Sequence, residues 1–417
     1  MSFARIAVLT LLIAAAPTVA APKEATPSEA LMSGEAWAQF CDRMKRVGET
    51  ILSDDFPGSA QDRAEGFRHL ARTLGMALQW EIDFADPDFP AFYRHDDDVT
   101  KWGGPNVDNT YIRARIRGDA TYKLSGDIST IHDLIVATRN GDMHLGKTGV
   151  AGDFDSSQLQ VDEEGRFELL VGPDVDPKTG IRTPPDTEQL SIRQYYTDWG
   201  SQSPGSFHVE RVSEGPLYPA DLTPAEMARR LDAAARWVEA SIPMWNDFMK
   251  RSTADTAVNT LSAPRSVPGG SSDIAYGGGH FSLEDDQALL IEMAAPDARY
   301  WSIQWYTFGW FESPDFANRQ TSLNNAQARS DSDGMLRIVL SGSDPGVQNW
   351  IDTAGHRSGQ ISYRWIWTKT RPTPMARVVP LAEVRKHLPK ETPVFGPEDR
   401  REQIEVRRTH IERRFRR

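Results

Sequence analysis

The segment Asp344–Arg357, with the sequence DPGVQNWIDTAGHR, concentrates the side chains that could catalyse a reaction. Asp352 and His356 are four residues apart, a spacing at which a turn can bring a carboxylate against an imidazole. A carboxylate that orients a histidine favours its action as a general base, so one hypothesis is a hydrolase that uses His356 with Asp352. The nearby hydroxyls of Thr353 and Ser358 lack the context of a nucleophile elbow. The alternative is an Asp–His hydrogen bond that only shapes the loop.

Metal and nucleotide cofactors are not indicated by the sequence. Its histidines are scattered singly, without the HxH or HExxH spacing that holds zinc, at positions 69, 95, 132, 144, 208, 280, 356, 387 and 410. The run His95–Asp98 predicts a solvated acidic turn, because three adjacent carboxylates cannot all point at one ion. The glycines of Ser262–Gly279 lack the strand-then-helix context of a phosphate-binding loop. We therefore expect no metal and no cofactor.

Side chains that could bind a ligand are more abundant than side chains that could catalyse. They combine amides, guanidinium groups, a carboxylate and aromatic rings, in three stretches of the chain: Asn318, Arg319, Gln320 and Asn324; Trp350 and Arg357; and Tyr195, Asp198 and Trp199. Amides form paired hydrogen bonds and aromatic faces stack on rings, so these residues suit a sugar or a flat ring compound. The alternative is structural, since strand tryptophans such as Trp301 and Trp305 mostly build cores and loop Asn and Asp mostly cap turns.

The elements that must position these residues form two similar stretches. Asn318–Thr368 contains a predicted hairpin, a long polar loop and a Trp-rich strand, and Leu159–Thr197 repeats that order. Gln189–Arg193 (QLSIR) aligns with Gln360–Arg364 (QISYR), each after a hairpin glycine. This repetition predicts two related β units, either two facing sandwiches or halves of one larger sandwich, with a ligand groove between them. The alternative is that any two strands after glycine turns look alike.

Residue patterns along the chain predict a mainly β fold with flanking helices, built from mostly antiparallel β-sandwich or jelly-roll units. Alternation of period two begins at Asn109, and the helical crossovers of a parallel sheet are missing. We divide the chain into a signal peptide (1–20), an N-terminal helical region (21–105), a first β unit (106–216), a helix and linker (217–270), a second β unit (271–372) and a C-terminal helical basic tail (373–417).

Three local patterns predict particular features. A capping box predicts a helix over Leu222–Ile242, which Pro243 should end or kink. The dipeptide Gly118-Asp119 predicts a hairpin between the strands on either side of it. The single cysteine, Cys41, lies on the apolar side of a predicted helix, so it should be buried, and it cannot form an internal disulfide.

The N-terminus has the order of a secretory signal peptide. Met1–Arg5 carries the positive charge, Ile6–Ala16 is apolar, and Thr18–Ala20 offers small residues for cleavage near Ala20. The apolar run is shorter than the ~20 residues that span a bilayer. We therefore predict a mature protein without a transmembrane segment, located in the periplasm or secreted.

Charge argues against nucleic acid as a partner and distinguishes the C-terminus from the rest of the chain. The net charge of −12 repels phosphate backbones, whereas residues 397–417 carry eight Arg against five acidic residues. One hypothesis is an envelope scaffold that uses this basic helix to reach a membrane surface or a protein partner of unknown identity. The alternative is a solvated helix packed by a thin apolar seam of Ile404, Ile411 and Phe415.

Three segments of the second β unit resemble a known family: FESPDFANRQTSLNNAQ, DPGVQNWIDTAGHRSGQ and RVVPLAEVRKHLP. They are similar to the domain of unknown function (DUF) 1214 family, mainly over Tyr300–Pro389. The resemblance implies a jelly-roll β fold, but it implies no reaction and no catalytic residues. We therefore favour a protein that binds a small polar or aromatic ligand between its β units, with the hydrolase and the scaffold as alternatives.

Overall fold

Residues 25–266 and 274–416 are described by the computed structural model, so the predicted signal peptide lies outside the described residues. In this part of the chain, five α-helices flank nineteen strands that form four sheets. The sheets pair into two β-sandwiches, and all but two of the strand pairs are antiparallel. The predicted fold class, mainly β with flanking helices, is confirmed.

The first sandwich contains the strands β1 (Tyr93–Asp96), β2 (Asn109–Arg115), β3 (Tyr122–Asp127), β4 (Asp133–Arg139), β5 (Val150–Asp155), β6 (Arg166–Gly172), β7 (Gly180–Arg182), β8 (Gln189–Tyr195) and β9 (Ser206–Arg211). Its inner sheet has the order β1-β2-β8-β4-β5, and its outer sheet has the order β7-β6-β3-β9. Alternate residues of both sheets meet in one apolar core, which includes Tyr122, Leu124, Val136, Leu169 and Ile192. β1 lies within the region that the sequence predicted to be helical.

The second sandwich contains the strands β10 (Thr260–Leu261), β11 (Arg265–Ser266), β12 (Ile274–Ser282), β13 (Gln287–Ala294), β14 (Ala298–Tyr306), β15 (Ser322–Asn324), β16 (Met335–Ser341), β17 (Trp350–Asp352), β18 (Ser358–Thr368) and β19 (Met375–Pro380). Its inner sheet has the order β10-β12-β18-β14-β15, with β11 also paired to β12, and its outer sheet has the order β17-β16-β13-β19. Trp301, Trp305 and Trp365 lie in its core, as predicted for the first two. β19 and the 3-10 helix Leu381–His387 occupy part of the predicted helical tail.

The two sandwiches share one topology. When the strands of the second are counted from β10 and β11 as the first position, its sheets read 1-2-8-4-5 and 7-6-3-9, which are the orders of the first. The parallel pairs are also equivalent, β6 with β7 and β16 with β17. Gln189–Arg193 and Gln360–Arg364 therefore lie on equivalent central strands, β8 and β18, and the repeat inferred from the sequence exists as two facing sandwiches.

The inner sheets of the two sandwiches face each other. Ile135 and Tyr195 of the first sandwich pack against Ile274, Tyr300 and Ile366 of the second. The rings of Tyr195 and Tyr300 meet edge to face, with centroids 5.2 Å apart. Fully burying a side chain of this kind contributes roughly 1.5–3 kcal/mol, so this apolar contact holds the two sandwiches together.

The helices α1 (Pro27–Met32), α2 (Glu35–Ile51), α3 (Ala60–Leu78), α4 (Pro224–Ala254) and α5 (Pro397–Phe415) surround the sandwiches, and α3 continues into a π-helix, Gln79–Asp83. The hydroxyl of Thr223 accepts a hydrogen bond from the Glu226 amide at 3.2 Å and starts α4 as predicted. The predicted end of this helix at Ile242 is wrong, because α4 continues through Pro243. Beyond the proline, Trp245 and Met249 are buried against the second sandwich, and that burial outweighs the hydrogen bond lost at the proline.

One further prediction for the helices is corrected. Cys41 is exposed on α2 rather than buried, because Phe40, Val47 and Ile51 form the buried face of that helix. None of the described helices combines the length and the apolar character that a membrane span requires.

The C-terminal helix α5 lies against both sandwiches. Ile411 and Phe415 of its predicted apolar seam pack against Trp199. Arg407 and Arg414 lie on the same buried face and are only 1% and 4% exposed. The predicted seam packs at Ile411 and Phe415, but the helix is less solvated than predicted, because Arg400, Arg407 and Arg414 are also buried.

Candidate functional site

His356 lies in the loop between β17 and β18, in the wall of a cleft of about 640 Å³. The cleft, which we name the His356 cleft, runs between the second sandwich, the start of α3 and the second half of α4, and its lining includes Asp55, Gln61, Asn246, Lys250, His356 and Arg357. Small-molecule sites commonly enclose about 300–1,000 Å³. The cleft therefore has the size of a ligand site.

The carboxylate partner of His356 is Glu65 and not Asp352. Its Nε2 atom lies 3.3 Å from Oε1 of Glu65 and 2.9 Å from Nε2 of Gln61. Burial alone would raise the pKa of Glu65. The hydrogen bond with His356 and further contacts together outweigh burial, so the pKa of Glu65 lies below its ordinary value. No local sequence signal identifies this pair, because Glu65 lies on α3 and His356 lies in a loop of the second sandwich.

Asp352 has a structural role that explains why the predicted Asp352–His356 pair is wrong. Its Oδ1 accepts a hydrogen bond from the Ala354 amide at 2.7 Å, and its Oδ2 accepts one from Arg319 at 2.9 Å. Both Ala354 and Gly355 have positive φ angles, 51° and 85°. The carboxylate thus caps a tight turn and binds Arg319, while the turn directs His356 towards Glu65.

The predicted ligand-binding residues of the second β unit bind other parts of the protein. Asn318 contacts Asp315 and Arg408, Gln320 contacts Ser322 and Arg407, Trp350 contacts Ser341 and Arg400, and Arg357 contacts Asp285 and Glu284. Arg357 also lines the His356 cleft. The structure does not bring these side chains together in one pocket.

Asn324 and Trp199 do meet, at the buried carboxylate of Asp108. The Asn324 amide and the Trp199 indole each donate to Oδ1 of Asp108 at 2.9 Å, and the Tyr300 hydroxyl donates to Oδ2 at 2.7 Å. Burial raises the pKa of Asp108, and these hydrogen bonds oppose the rise. Because Asp108 is fully buried, these donors bind the protein itself and leave no opening for a ligand.

The remaining residues of the predicted opposing wall also have structural partners. The exposed Asp198 caps its own turn by accepting hydrogen bonds from the Gly200 amide at 2.9 Å and the Ser201 hydroxyl at 2.6 Å. Tyr195 is buried in the apolar contact between the sandwiches. Its side chain also contacts the guanidinium of Arg193, which brings it next to a different set of polar groups.

Those polar groups line a space between the inner sheets, which we name the inter-sandwich gap and define by Tyr111, Arg139, Arg193, Tyr276, Ser362 and Arg364. Five of the six side chains are only half-buried although they lie between two packed sheets, and Arg364 alone is buried. A small cavity of about 10 Å³, roughly the space of one water molecule, lies against the first sandwich and is lined by Ile135, Ala137, Arg139, Val150, Asp153, Ser191 and Arg193.

An arginine from each sandwich reaches the gap beside a tyrosine. Tyr111 and Arg193 are register partners on β2 and β8, and Tyr276 and Arg364 are register partners on β12 and β18. The Arg193 guanidinium lies 5.8 Å from the ring centre of Tyr111, and that of Arg364 lies 5.7 Å from the ring centre of Tyr276. Burial raises the pKa of Tyr111, and the positive charges of Arg193 and Arg364 oppose that rise. Tyr111 therefore interacts with both arginines and keeps its hydroxyl proton near neutral pH.

The chain is similar to solved structures over most of its length. A protein of uncharacterized function from Burkholderia cenocepacia is 33% identical, with a TM-score of 0.79 over 85% of this chain and 99% of that chain. A second structure, the VPA0106 protein from Vibrio parahaemolyticus, is 12% identical with a TM-score of 0.43, over 74% of this chain and 96% of that chain. No curated protein matches the chain.

A family model described as protein of unknown function (DUF1214) matches residues 279–370. The chain therefore contains a DUF1214 segment. The matched segment both begins and ends earlier in the chain than the predicted span Tyr300–Pro389. It covers most of the second sandwich. It contains Arg364 and His356, whereas Tyr111 and Arg193 lie outside it in the first sandwich. The inter-sandwich gap is therefore lined by residues from inside and outside the matched segment.

The four residues that carry the gap were missed as site residues by sequence reasoning. One signal was available, because the aligned strands QLSIR and QISYR both end in an arginine, Arg193 and Arg364. By itself the alignment predicts a shared architecture and does not assign the two arginines to a site. Tyr111 and Tyr276 carry no comparable signal, since a tyrosine in a strand is an ordinary core or interface residue.

Proposed function

We propose that this protein binds a small polar or aromatic molecule in the inter-sandwich gap. One observation carries the proposal. The strands β8 and β18 are central in two facing sheets, yet Arg193 on β8, Ser362 on β18 and Tyr276 on the adjacent strand β12 keep part of their surface accessible. Side chains between packed sheets are ordinarily interdigitated without voids. The gap therefore results from the residues on these strands and from the way the two sheets pack.

The lining of the gap suits the ligand class that the sequence favoured. Tyr111 and Tyr276 offer aromatic faces from opposite sandwiches, and Ser362 offers a hydroxyl. Aromatic faces stack on ring compounds and on the apolar faces of sugars, while a few polar groups fix orientation. The apolar contact beside the gap supplies a rigid support, because Tyr195 and Tyr300 are fully enclosed there.

A thermal-shift screen of the protein against sugars, aromatic acids, aromatic amides and other metabolites tests this function. Tyr276→Ala removes one aromatic wall and Ser362→Met fills the gap, whereas Tyr218→Ala, at an 83% exposed position, is the control. Ligands that raise the Tm of the native protein and the control should lose most of that effect in both gap variants. Ligands that act equally on all four proteins would overturn the proposal.

Export to the periplasm or the medium is part of the same proposal. It is supported by the order of charged, apolar and small residues in Met1–Ala20. Mass spectrometry of the protein from fractionated cells should find a mature chain that begins near Ala21. A cytoplasmic protein that retains Met1–Ala20 would contradict export without affecting the ligand site.

Hydrolysis in the His356 cleft is a second candidate function, supported by the His356–Glu65 contact of 3.3 Å in the wall of a 640 Å³ space. A carboxylate that orients an imidazole allows it to take a proton from an attacking water. No described hydroxyl hydrogen-bonds His356, so water would be the nucleophile. Arg400, Arg407 and Arg414 are buried whereas Arg401, Arg408 and Arg416 are exposed, so the envelope scaffold stays an untested alternative.

Turnover of 4-nitrophenyl esters separates this candidate from background hydrolysis. His356→Gln and Glu65→Gln should each lower the rate by at least about 100-fold, the usual contribution of a positioned general base. His208→Gln, at an exposed position, is the matched control. Equal rates in all four proteins would remove the hydrolase from consideration.

A further inference from the structure

We propose that the inter-sandwich gap binds one oxyanionic group of its ligand, a carboxylate, phosphate or sulfate, between Arg193 of the first sandwich and Arg364 of the second. This inference rests on the proposed function, because it assigns the chemical class of the molecule that the gap holds. It goes beyond a polar or aromatic ligand by requiring a negative charge.

The first argument is that Arg193 and Arg364, the two central arginines of the gap, have no carboxylate partner. Neither forms a salt bridge with a carboxylate in residues 25–266 and 274–416, whereas Arg139 is attracted by the nearby Asp153. Other arginines of the inner sheets are neutralised: Arg113 binds Asp142 at 2.7 Å, and Arg299 binds Asp133. Buried and half-buried cations are ordinarily paired, because removing a charge from water costs several kcal/mol. An anion from outside the chain would supply the missing partner.

The second argument is an unused donor on Arg364, which is 8% exposed. Its Nη2 donates to the Gly104 carbonyl at 3.0 Å and to the Tyr306 hydroxyl at 2.8 Å. Its Nη1 is buried and has no hydrogen-bond partner among the described residues. Leaving a charged donor unsatisfied is costly, and the planar fork of a guanidinium matches the oxygens of a carboxylate or phosphate.

The third argument is that the charge of Arg193 acts unfavourably on two neighbouring groups, Arg139 and His95. Burial and then the positive charge of Arg193 lower the pKa of Arg139 to about 10. Attraction by Asp153 also acts on Arg139, but it is weaker than the repulsion by Arg193. Burial and the charges of Arg113, Arg193 and Arg139 hold the pKa of His95 well below its usual range, so His95 stays neutral. A bound anion would relieve this repulsion.

The arrangement of the repeat indicates one anionic group rather than two. Arg193 and Arg364 extend from equivalent strands of sheets that face each other. Facing sheets pack about 10 Å apart, a distance that two arginine side chains from opposite sides can close on a single oxyanion. The positive charges of Arg193 and Arg364 both act on the Tyr111 hydroxyl, as expected for groups that face one space between the sheets.

Isothermal titration of the full protein at low ionic strength tests the inference with benzoate, inorganic phosphate and sulfate, and with neutral benzamide as the uncharged match for benzoate. Native protein should bind benzoate at least about tenfold more tightly than benzamide. Arg193→Gln should weaken anion binding by about tenfold or more and leave benzamide unchanged. Arg357→Gln, which removes an exposed arginine outside the gap, should behave as native protein.

The outcomes separate this inference from the proposed function. If ligands bind in the gap by the Tyr276→Ala criterion but anions gain nothing over their neutral matches, the anion inference is overturned and the proposed function stands. If Arg193→Gln binds every anion as tightly as native protein, the inference is likewise overturned. Arg364→Gln can unfold because its side chain is buried and hydrogen-bonded, so Arg139→Gln serves as the second variant and should weaken anion binding less than Arg193→Gln.

Discussion

Arg193 and Arg364 occupy the same position in two copies of one fold. Arg193 lies opposite Tyr111 on β8, and Arg364 lies opposite Tyr276 on β18, the equivalent strand of the second sandwich. Because the sandwiches face each other through the sheets that contain these strands, the repeat places the same pair of side chains on both walls of one gap. Each sandwich therefore presents one arginine and one tyrosine from equivalent strand positions to the gap.

The helix α3 contains two glycines that should respond oppositely to alanine. A Cβ at Gly66 would lie 2.4 Å from the ring of Trp310, whereas a Cβ at Gly75 would meet nothing within 4 Å. Alanine gains about 1 kcal/mol over glycine inside a helix, but overpacking costs roughly 1–3 kcal/mol. Urea unfolding should show Gly75→Ala stabilised by up to about 1 kcal/mol and Gly66→Ala destabilised by a similar amount. A stabilised Gly66→Ala would mean that Trp310 moves aside freely.

Arg407 should stabilise the contact between α5 and the sandwiches, whereas its neighbour Arg408 should not. Arg407 donates to the Phe316 carbonyl at 2.9 Å and to the Ser322 hydroxyl at 2.8 Å, and its guanidinium lies 4.4 Å from the ring centre of Trp199. Arg407→Met should therefore lower the free energy of unfolding by about 3 kcal/mol, because buried acceptors lose their donors.

Arg408→Met is the matched control for that substitution. Arg408 is exposed and contacts only Asn318 among the described hydrogen bonds, at 2.9 Å. Its loss should change the free energy of unfolding by less than about 0.5 kcal/mol. Equal effects of the two substitutions in denaturant titrations would contradict the role of α5 as a buried brace.

Asp96 should make stability depend on pH. Burial raises the pKa of Asp96 to about 8, although its carboxylate accepts a hydrogen bond from the Trp102 amide at 2.6 Å. In the unfolded chain the group ionises near pH 4, so between about pH 4 and pH 8 the unfolded state releases a proton that the folded state keeps. The contribution of Asp96 to the free energy of unfolding is thus fully present below about pH 4 and is lost as pH rises through about 8.

Asp96→Asn removes that dependence and keeps an acceptor for the Trp102 amide. The difference in unfolding free energy between this variant and the native protein should grow in favour of Asp96→Asn by up to roughly 1.4 kcal/mol per pH unit up to about pH 8. Asp198→Asn is the control: the Ser201 hydrogen bond lowers the pKa of Asp198, so its difference should be flat above pH 5. A flat difference for Asp96→Asn from pH 5 to pH 9 would contradict the burial of a protonated carboxyl.

Local sequence patterns predicted elements better than they predicted strand partners. Gly118-Asp119 was predicted to join β2 and β3 as a hairpin, but β2 pairs with β1 and β8 while β3 pairs with β6 and β9. The turn at Gly118 is real, because the Ala120 amide donates a hydrogen bond to the Arg117 carbonyl at 3.3 Å. Its strands nevertheless enter different sheets, since pairing depends on strands far away in the chain.

The candidate catalytic pair failed for a similar reason. The spacing of Asp352 and His356 allowed a contact, but the backbone turn at Ala354 gave Asp352 a nearer donor in its own loop. His356 then met Glu65, which lies almost three hundred residues earlier in the chain. A short spacing shows which groups can meet, and the competing hydrogen bonds of the folded loop decide which groups do.

By itself the amino-acid sequence determined the mainly β class, the Trp-rich second core, the start of α4 and the repeat that relates β8 to β18, because alternation, capping and repeated strand patterns are local. Only the tertiary structure decided that the two units face each other and leave Arg193 and Arg364 across one gap. Which faces pack together depends on apolar surfaces from distant segments, such as Tyr195 and Tyr300. No residue spacing in the sequence predicts that such surfaces will be in contact.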